Sequence, residues 1–248
     1  MAVSAAAAPG ARVSPPAGRR ILVAGASRGL GLGLAKSFAA HGWNIVATER
    51  GASAGLRAAA EAAPGRIQIE RLDINDTDLA QSLRRRLAHE LFDVIFIVAG
   101  MRDNDPNRPV HEVPAREAAQ VFISNAYSPM YFAEAFFDRL VPGGTLAIMT
   151  SVMASLTLIS IREQGTWEVY RASKTALNML ARCFHERHRG DGRTLLLFHP
   201  GWVKTDMGGI NAPVDLATSV EGLYRTLLKW EGTRELAFLD YQGNILTW

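Results

Sequence analysis

A doubly wound α/β fold, one parallel sheet with helices on both faces, is the class this sequence predicts. Three observations carry it. Short apolar-rich runs at 21–24, 92–98 and 195–198 read as strands buried on both faces. Between such runs, apolar residues recur at helical spacing, as in Leu32, Leu34, Ala35, Phe38 and Ala39. The first run leads straight into Gly25-Ala-Ser-Arg-Gly-Leu-Gly31, with a helix behind it. In that order, the glycines let a pyrophosphate approach the backbone and the helix N-terminus presents free N–H groups to it. The spacing is G-x-x-x-G-x-G, on Gly25, Gly29 and Gly31.

The remaining elements follow in turn. The second strand, 43–48, ends at Glu49 and Arg50, where a doubly wound sheet holds the adenosine ribose of a dinucleotide. Glu49 can hydrogen-bond the ribose hydroxyls of NAD and would repel the 2′-phosphate of NADP. Arg28 and Arg50 suit that phosphate. Two arginines against one glutamate narrowly favour NADP(H) over NAD(H). An alanine-rich helix (about 52–63) precedes a strand at 66–72 closed by Asp73. Asp76 or Thr77 opens a helix carrying Leu79, Leu83 and Leu87. The fourth strand ends in Ala99-Gly100, and the proline-containing stretch 101–114 is a loop. Helix returns at about 115–139, contains Asn125 and is expected to bend at Pro129. A turn and fifth strand cover 143–150, with Ser151 at the carboxyl end, where active sites of such sheets collect. After a long connection (152–166) comes a helix to about His188. The sixth strand, 195–198, leaves through His199-Pro-Gly-Trp-Val-Lys-Thr-Asp-Met207. Thr218-x-x-Glu221 reads as a capping box opening the last helix, and 235–239 is the last strand.

Size and charge exclude several classes. The 248 residues, 48% hydrophobic, suffice for one large core without a second domain. No run of 18 apolar residues exists, so no membrane span is expected. The net charge of +3 resides in Arg12, Arg19 and Arg20, so no nucleic-acid footprint is expected. Residues 1–19 read as a disordered arm, with 20–248 as the folded domain. Their charges follow the alanines, unlike an export signal. The single Cys183 excludes an intramolecular disulfide and, among Leu180, Ala181 and Phe184, is expected to be a buried thiol in a reducing, cytoplasmic setting. No metal-ligand spacing is present.

Chemistry concentrates in Tyr170-Arg-Ala-Ser-Lys174. Four residues apart on a helix, Tyr170 and Lys174 lie one turn apart on one face. A free tyrosine, with a pKa of about 10, is a poor proton donor or acceptor near neutrality. A neighbouring ammonium favours the phenolate, and a tyrosine so tuned exchanges a proton with an alcohol or developing alkoxide. A helix whose Tyr and Lys merely share a face is the simpler alternative.

Taken in order, Gly25-Ala-Ser-Arg-Gly-Leu-Gly31, Asp73, Ala99-Gly100, Asn125, Ser151, Tyr170-x-x-x-Lys174 and Pro200-Gly-Trp-Val-Lys-Thr-Asp206 resemble the short-chain dehydrogenase/reductase family over residues 20–248. His199–Gly209 and the ending Leu239–Trp248 are similar to its C-factor-like and sniffer-like carbonyl reductases. The resemblance implies a Rossmann-type sheet and an NAD(P)(H)-dependent oxidoreductase acting on a small-molecule carbonyl or alcohol. It implies Tyr170 as general acid/base and Lys174 lowering its pKa and holding the nicotinamide ribose. It implies Ser151 on the substrate oxygen and Asn125 positioning Lys174 through a water. Cofactor contacts implied are Gly25, Ser27, Arg28, Gly29, Leu30, Gly31, Glu49, Arg50, Asp73, Ile74, Ala99, Gly100, Tyr170, Lys174, Pro200, Gly201, Val203 and Thr205. Homodimers or homotetramers in this family often use the helices carrying Asn125 and Tyr170. Three departures stand out. Ala24 replaces a usual threonine, Ile97-Val-Ala-Gly100 replaces Asn-Asn-Ala-Gly, and the Ser151–Tyr170 interval is longer than common. The first two remove polar groups that tie sheet to cofactor loop. The alternative is a catalytically idle nucleotide-sensing or developmental signalling protein that retains the fold, motivated by Ile97-Val98 and the C-factor resemblance.

Overall fold

The computed structural model describes residues 18–103, 105–159 and 165–248. Seven strands form one sheet: β1 (Arg20–Ala24), β2 (Asn44–Glu49), β3 (Ile67–Arg71), β4 (Phe92–Ile97), β5 (Leu140–Met149), β6 (Thr194–His199) and β7 (Leu236–Asp240). Their order is β3-β2-β1-β4-β5-β6-β7, with every pairing parallel. The chain therefore reverses direction of winding between β1 and β4, the switch point at which such sheets bind ligands beyond their carboxyl ends.

The helices are α1 (Gly29–Ala40), α2 (Ala54–Ala62), α3 (Thr77–Arg86), α4 (Ala115–Phe122), α5 (Ser128–Phe136), α6 (Glu168–Arg187) and α7 (Leu216–Trp230). Period-two alternation sends Ile21 and Val23 into one core with Leu34 and Phe38 of α1, Leu56 of α2 and Leu223 of α7. Leu22 and Ala24 enter the other core, with Leu83 of α3, Phe132 of α5 and Leu177 of α6. Strands buried on both faces are why those runs are apolar throughout.

Several boundaries differ from the sequence expectation. Helix α7 starts earlier than Thr218: Asp215 is its cap, accepting from the Thr218 N–H (2.8 Å) and the Thr218 hydroxyl (2.7 Å). The expected turn at Gly143-Gly144 lies inside β5 as a slip in register against β4. The long helix is interrupted by a π-helical turn, Ile123–Tyr127, closed by the Ser128 N–H on the Ile123 carbonyl. Pro129 sits at the start of α5 and donates nothing back to Asn125, its i−4 neighbour. Cys183 is exposed, not buried. Of the expected disordered arm, residues 1–17 lie outside the described residues. Arg19 is ordered: it stacks over Trp43 (4.0 Å) and pairs with Glu231 (2.7 Å).

Candidate active site

At the phosphate end, Gly25 adopts φ +97°, and a Cβ there would sit 2.8 Å from the Ala99 backbone nitrogen. A Cβ on Gly31 would lie 2.0 Å from the Gly25 carbonyl, so turn and helix close only with glycine at both positions. Helix α1 begins at Gly29, Arg28 at its cap position makes no side-chain capping bond, and its first turn holds no acidic residue. By contrast, α2, α3 and α7 are capped by Ser53, Asp76 and Asp215. The uncapped N–H groups and the bare glycine turn fit the diphosphate of a dinucleotide.

The two departures in this region are compensated. The Gly25 N–H donates to the Thr48 hydroxyl (2.9 Å), so the polar tie comes from β2. The Val98 and Ala99 N–H groups both donate to the Ala24 carbonyl, at 2.9 and 3.1 Å. Backbone atoms thus hold β4's exit to β1 where side chains at 24, 97 and 98 cannot. The Ser27 carbonyl accepts from the Ser53 hydroxyl (2.6 Å), which docks the turn on α2. Arg28 pairs with Asp206 across the cleft (3.1 Å), both side chains exposed.

Glu49 is turned into its own chain. One carboxylate oxygen accepts from the Ser53 N–H (2.7 Å) and the other from Arg57 (2.9 Å), and the residue is buried. Arg50, Arg57 and Arg71 line the hollow beside it. The acid expected on the ribose hydroxyls is therefore neutralised, and the hollow is rich in arginine. Arg57 escaped sequence reading, although it stands eight residues after Glu49 on the following helix. Asp73 accepts from the Asn75 N–H (3.0 Å), and Ile74 belongs to the core; neither lines either of the two hollows.

Ser151 and Tyr170 meet at the carboxyl ends of the central strands. Ser151 and Tyr170 line the same cavity, and the Ser151 oxygen accepts from the Met153 N–H (3.1 Å). Burial pushes the Tyr170 pKa up, while Ser151 and the Arg102 guanidinium pull it back. Lys174 is buried, which lowers its pKa to about 8, and its ammonium donates to the Met149 carbonyl (3.0 Å). Asn125 is fully buried in the π turn. Its amide donates to the Met101 carbonyl (2.7 Å) and the Ser173 hydroxyl (2.9 Å), and its oxygen accepts from the Met101 N–H (2.8 Å). It thereby pins α6 to the loop after β4. A Cβ on Gly100 would approach the Asn125 oxygen at 3.1 Å and the Lys174 ammonium at 3.4 Å, so glycine leaves these groups their room.

Above Ser151 and Tyr170 opens a cavity of about 430 Å³. Leu30, Pro200, Gly201, Val203 and Thr205 line it, so the glycine turn and the loop after β6 share one hollow with the Ser151 and Tyr170 hydroxyls. Trp202 braces that loop, its indole N–H donating to the Gly208 carbonyl (2.7 Å). His199 also lines the cavity. Burial lowers its pKa to about 4, so it is neutral at physiological pH despite Asp240 nearby. The geometry suits proton exchange at a carbonyl or hydroxyl oxygen held in this cavity.

The profile of the short chain dehydrogenase family matches residues 19–213. The chain belongs to the short-chain dehydrogenase/reductase family and is an oxidoreductase that binds a nicotinamide cofactor. It is 35% identical to the C-signal of Myxococcus xanthus over 139 residues, 55% of this chain and 82% of that protein. A short-chain dehydrogenase/reductase from Burkholderia multivorans with bound NADP superposes with a TM-score of 0.89 at 38% identity, covering 93% of this chain and 99% of the other. A carbonyl reductase from Pseudomonas aeruginosa PAO1 in complex with NADP gives 0.84 at 38% identity, with the same coverage. Among the described residues no helix is long and apolar enough to cross a membrane.

Proposed function

We propose that the protein is an NADP(H)-preferring carbonyl reductase in which Tyr170 is the general acid/base. The observation that carries this reading is that Ser151 and Tyr170 line one cavity together with Leu30 of the glycine turn and the 200–208 loop. The nicotinamide supplies the hydride. The chain's residues hold the carbonyl and manage the proton. Ser151 donates to the carbonyl oxygen, a bond that strengthens as negative charge grows there. The Tyr170 hydroxyl gives its proton to that oxygen, or takes one in the oxidative direction. Lys174, held by the Met149 carbonyl and buried beside Gly100 and Asn125, supplies positive charge next to the cofactor ribose. Asn125 positions α6 and the loop after β4.

Preference for NADP(H) is supported by the neutralised Glu49 and the arginines beside it. The walls of the cavity include Met153, Trp167, Trp202 and Met207, which suits an apolar or aromatic carbonyl compound. Self-association fits the adjacent helices α4 and α6, where Phe122, Met179 and Leu180 are exposed. The folded domain of 20–248 and a reducing, cytoplasmic setting complete the reading.

Tyr170→Phe is the test. Turnover should fall by at least about 100-fold, in keeping with loss of a general acid, while NADPH binding stays within a factor of two or so. Wild-type rates in that variant would remove Tyr170 from the mechanism. The idle-protein alternative requires cofactor binding with no turnover of any carbonyl by the wild type.

A further inference from the structure

Among the described residues lining the cavity, Arg102 is the sole aspartate, glutamate, lysine or arginine. The rest are apolar, glycine, or neutral polar groups such as Asn107 and Asn211, and His199 is held neutral. Arg102 forms no ion pair with any described carboxylate. Glu117 is taken by Arg108, and the buried Asp103 carboxylate, whose pKa desolvation raises although the Arg108 and Arg102 charges pull it down, makes no hydrogen bond to either of them. The partly buried Arg102 guanidinium therefore keeps its hydrogen-bonding fork open to a ligand in the cavity.

Its position is also built, not incidental. The guanidinium stacks over the Trp167 ring at 4.5 Å. Trp167 in turn is held at φ +46°, the left-handed region that a bulky residue rarely adopts. Its N–H donates to the Pro106 carbonyl (2.9 Å), its own carbonyl accepts from the Arg171 N–H (2.8 Å), and its side chain is buried. Such a conformation persists where the surroundings over-determine it, and here those contacts fix the platform under the Arg102 fork. Arg102 lies two residues past Gly100, and its charge reaches the Tyr170 hydroxyl.

We propose that Arg102 is the specificity-determining residue of this cavity, holding an acidic group, a carboxylate, that the carbonyl substrate carries. The planar fork can meet a carboxylate through two hydrogen bonds, while the apolar walls take the remainder of the molecule. The substrate class is then an aryl or alkyl oxo acid. This rests on the cavity being a carbonyl-reducing site.

The test titrates the NADP⁺-saturated protein calorimetrically with phenylglyoxylate and with methyl phenylglyoxylate, which share a skeleton and differ in charge. Wild type should bind the acid roughly 10- to 100-fold tighter than the ester, the span of a hydrogen bond to a charged group. Arg102→Met should erase that difference and leave the ester unchanged, and Arg102→Lys should restore part of it. Equal affinities in the wild type overturn the proposal. So does an Arg102→Met protein that loses acid and ester alike, the mark of a structural role. So does one that loses NADP⁺ affinity instead, which would hand Arg102 to the cofactor's phosphates. Reduction of the ester by NADPH is followed separately. Ester turnover without acid selectivity defeats this inference alone, and selective acid binding without reduction of either compound defeats the reductase reading alone.

Discussion

At the residue scale, the groups proposed to react are set by burial and by a few hydrogen bonds. Ser151→Ala removes the donor proposed for the carbonyl oxygen and should lower kcat by about 10²–10³, as for comparable oxyanion donors, with little change in cofactor affinity. Steady-state kinetics with methyl phenylglyoxylate checks it. Lys174 leaves a signature in stability. Its folded pKa of about 8 lies below the unfolded value of 10.5, so between these the unfolded chain binds more protons. Stability therefore rises with pH from about 8 toward 10 and is flat below, where both states are protonated. The rise is on the order of 3 kcal/mol if fully expressed. Thermal melts at pH 7 to 10 should show a climbing wild-type Tm relative to Lys174→Met; parallel profiles would contradict the burial account. That Ser151 and Tyr170 would meet in one cavity was legible from sequence because the order and spacing of the motifs are specific. Arg102, Thr48 and Arg57 were not. Each acts through a contact made by the fold, and only Arg102's place just beyond a strand's carboxyl end offered a hint.

Elements show the same division. The glycine turn could be read directly, since strand, glycines and helix are contiguous. What the sequence could not show was that the Thr48 hydroxyl replaces the usual threonine's tie. Gly31→Ala should cost about 1–3 kcal/mol of stability and abolish NADPH binding, because its methyl meets the Gly25 carbonyl at 2.0 Å. Gly190→Ala, which meets nothing within 4 Å, should leave both intact. Differential scanning calorimetry with a cofactor titration compares them; equal behaviour of the two variants would show the turn tolerates a side chain. Helix α6 explains the misreading of Cys183. Leu180, Ala181, Cys183 and Phe184 are neighbours in sequence, but at 100° per residue they cannot all face inward. Ala181 and Phe184 do; Leu180 and Cys183 point outward. Likewise the Asp215 cap was overlooked because Thr218 satisfies a capping pattern, while the fold places the helix start three residues earlier.

For the whole molecule, the parallel order and two-sided core followed from the buried strand runs, and the sheet brings residues from the turn at 25 to the loop at 205 into one hollow. The outer face of α4 and α6 is where that argument extends to assembly. Met179 and Leu180 are 59% and 42% exposed. If this face joins copies of the chain, Met179→Glu with Leu180→Glu should shift sedimentation velocity from dimer or tetramer to monomer; a wild type that sediments as a monomer contradicts the assignment. Hydride transfer is the central claim, and isotope labelling tests it most directly. NADPH deuterated at C4, as each of its two stereoisomers, is incubated with methyl phenylglyoxylate, and the product is analysed by mass spectrometry. One stereoisomer should deliver one deuterium to the carbinol carbon, and Tyr170→Phe should yield almost no product. Product without deuterium from either stereoisomer, or no product from the wild type, would contradict the account.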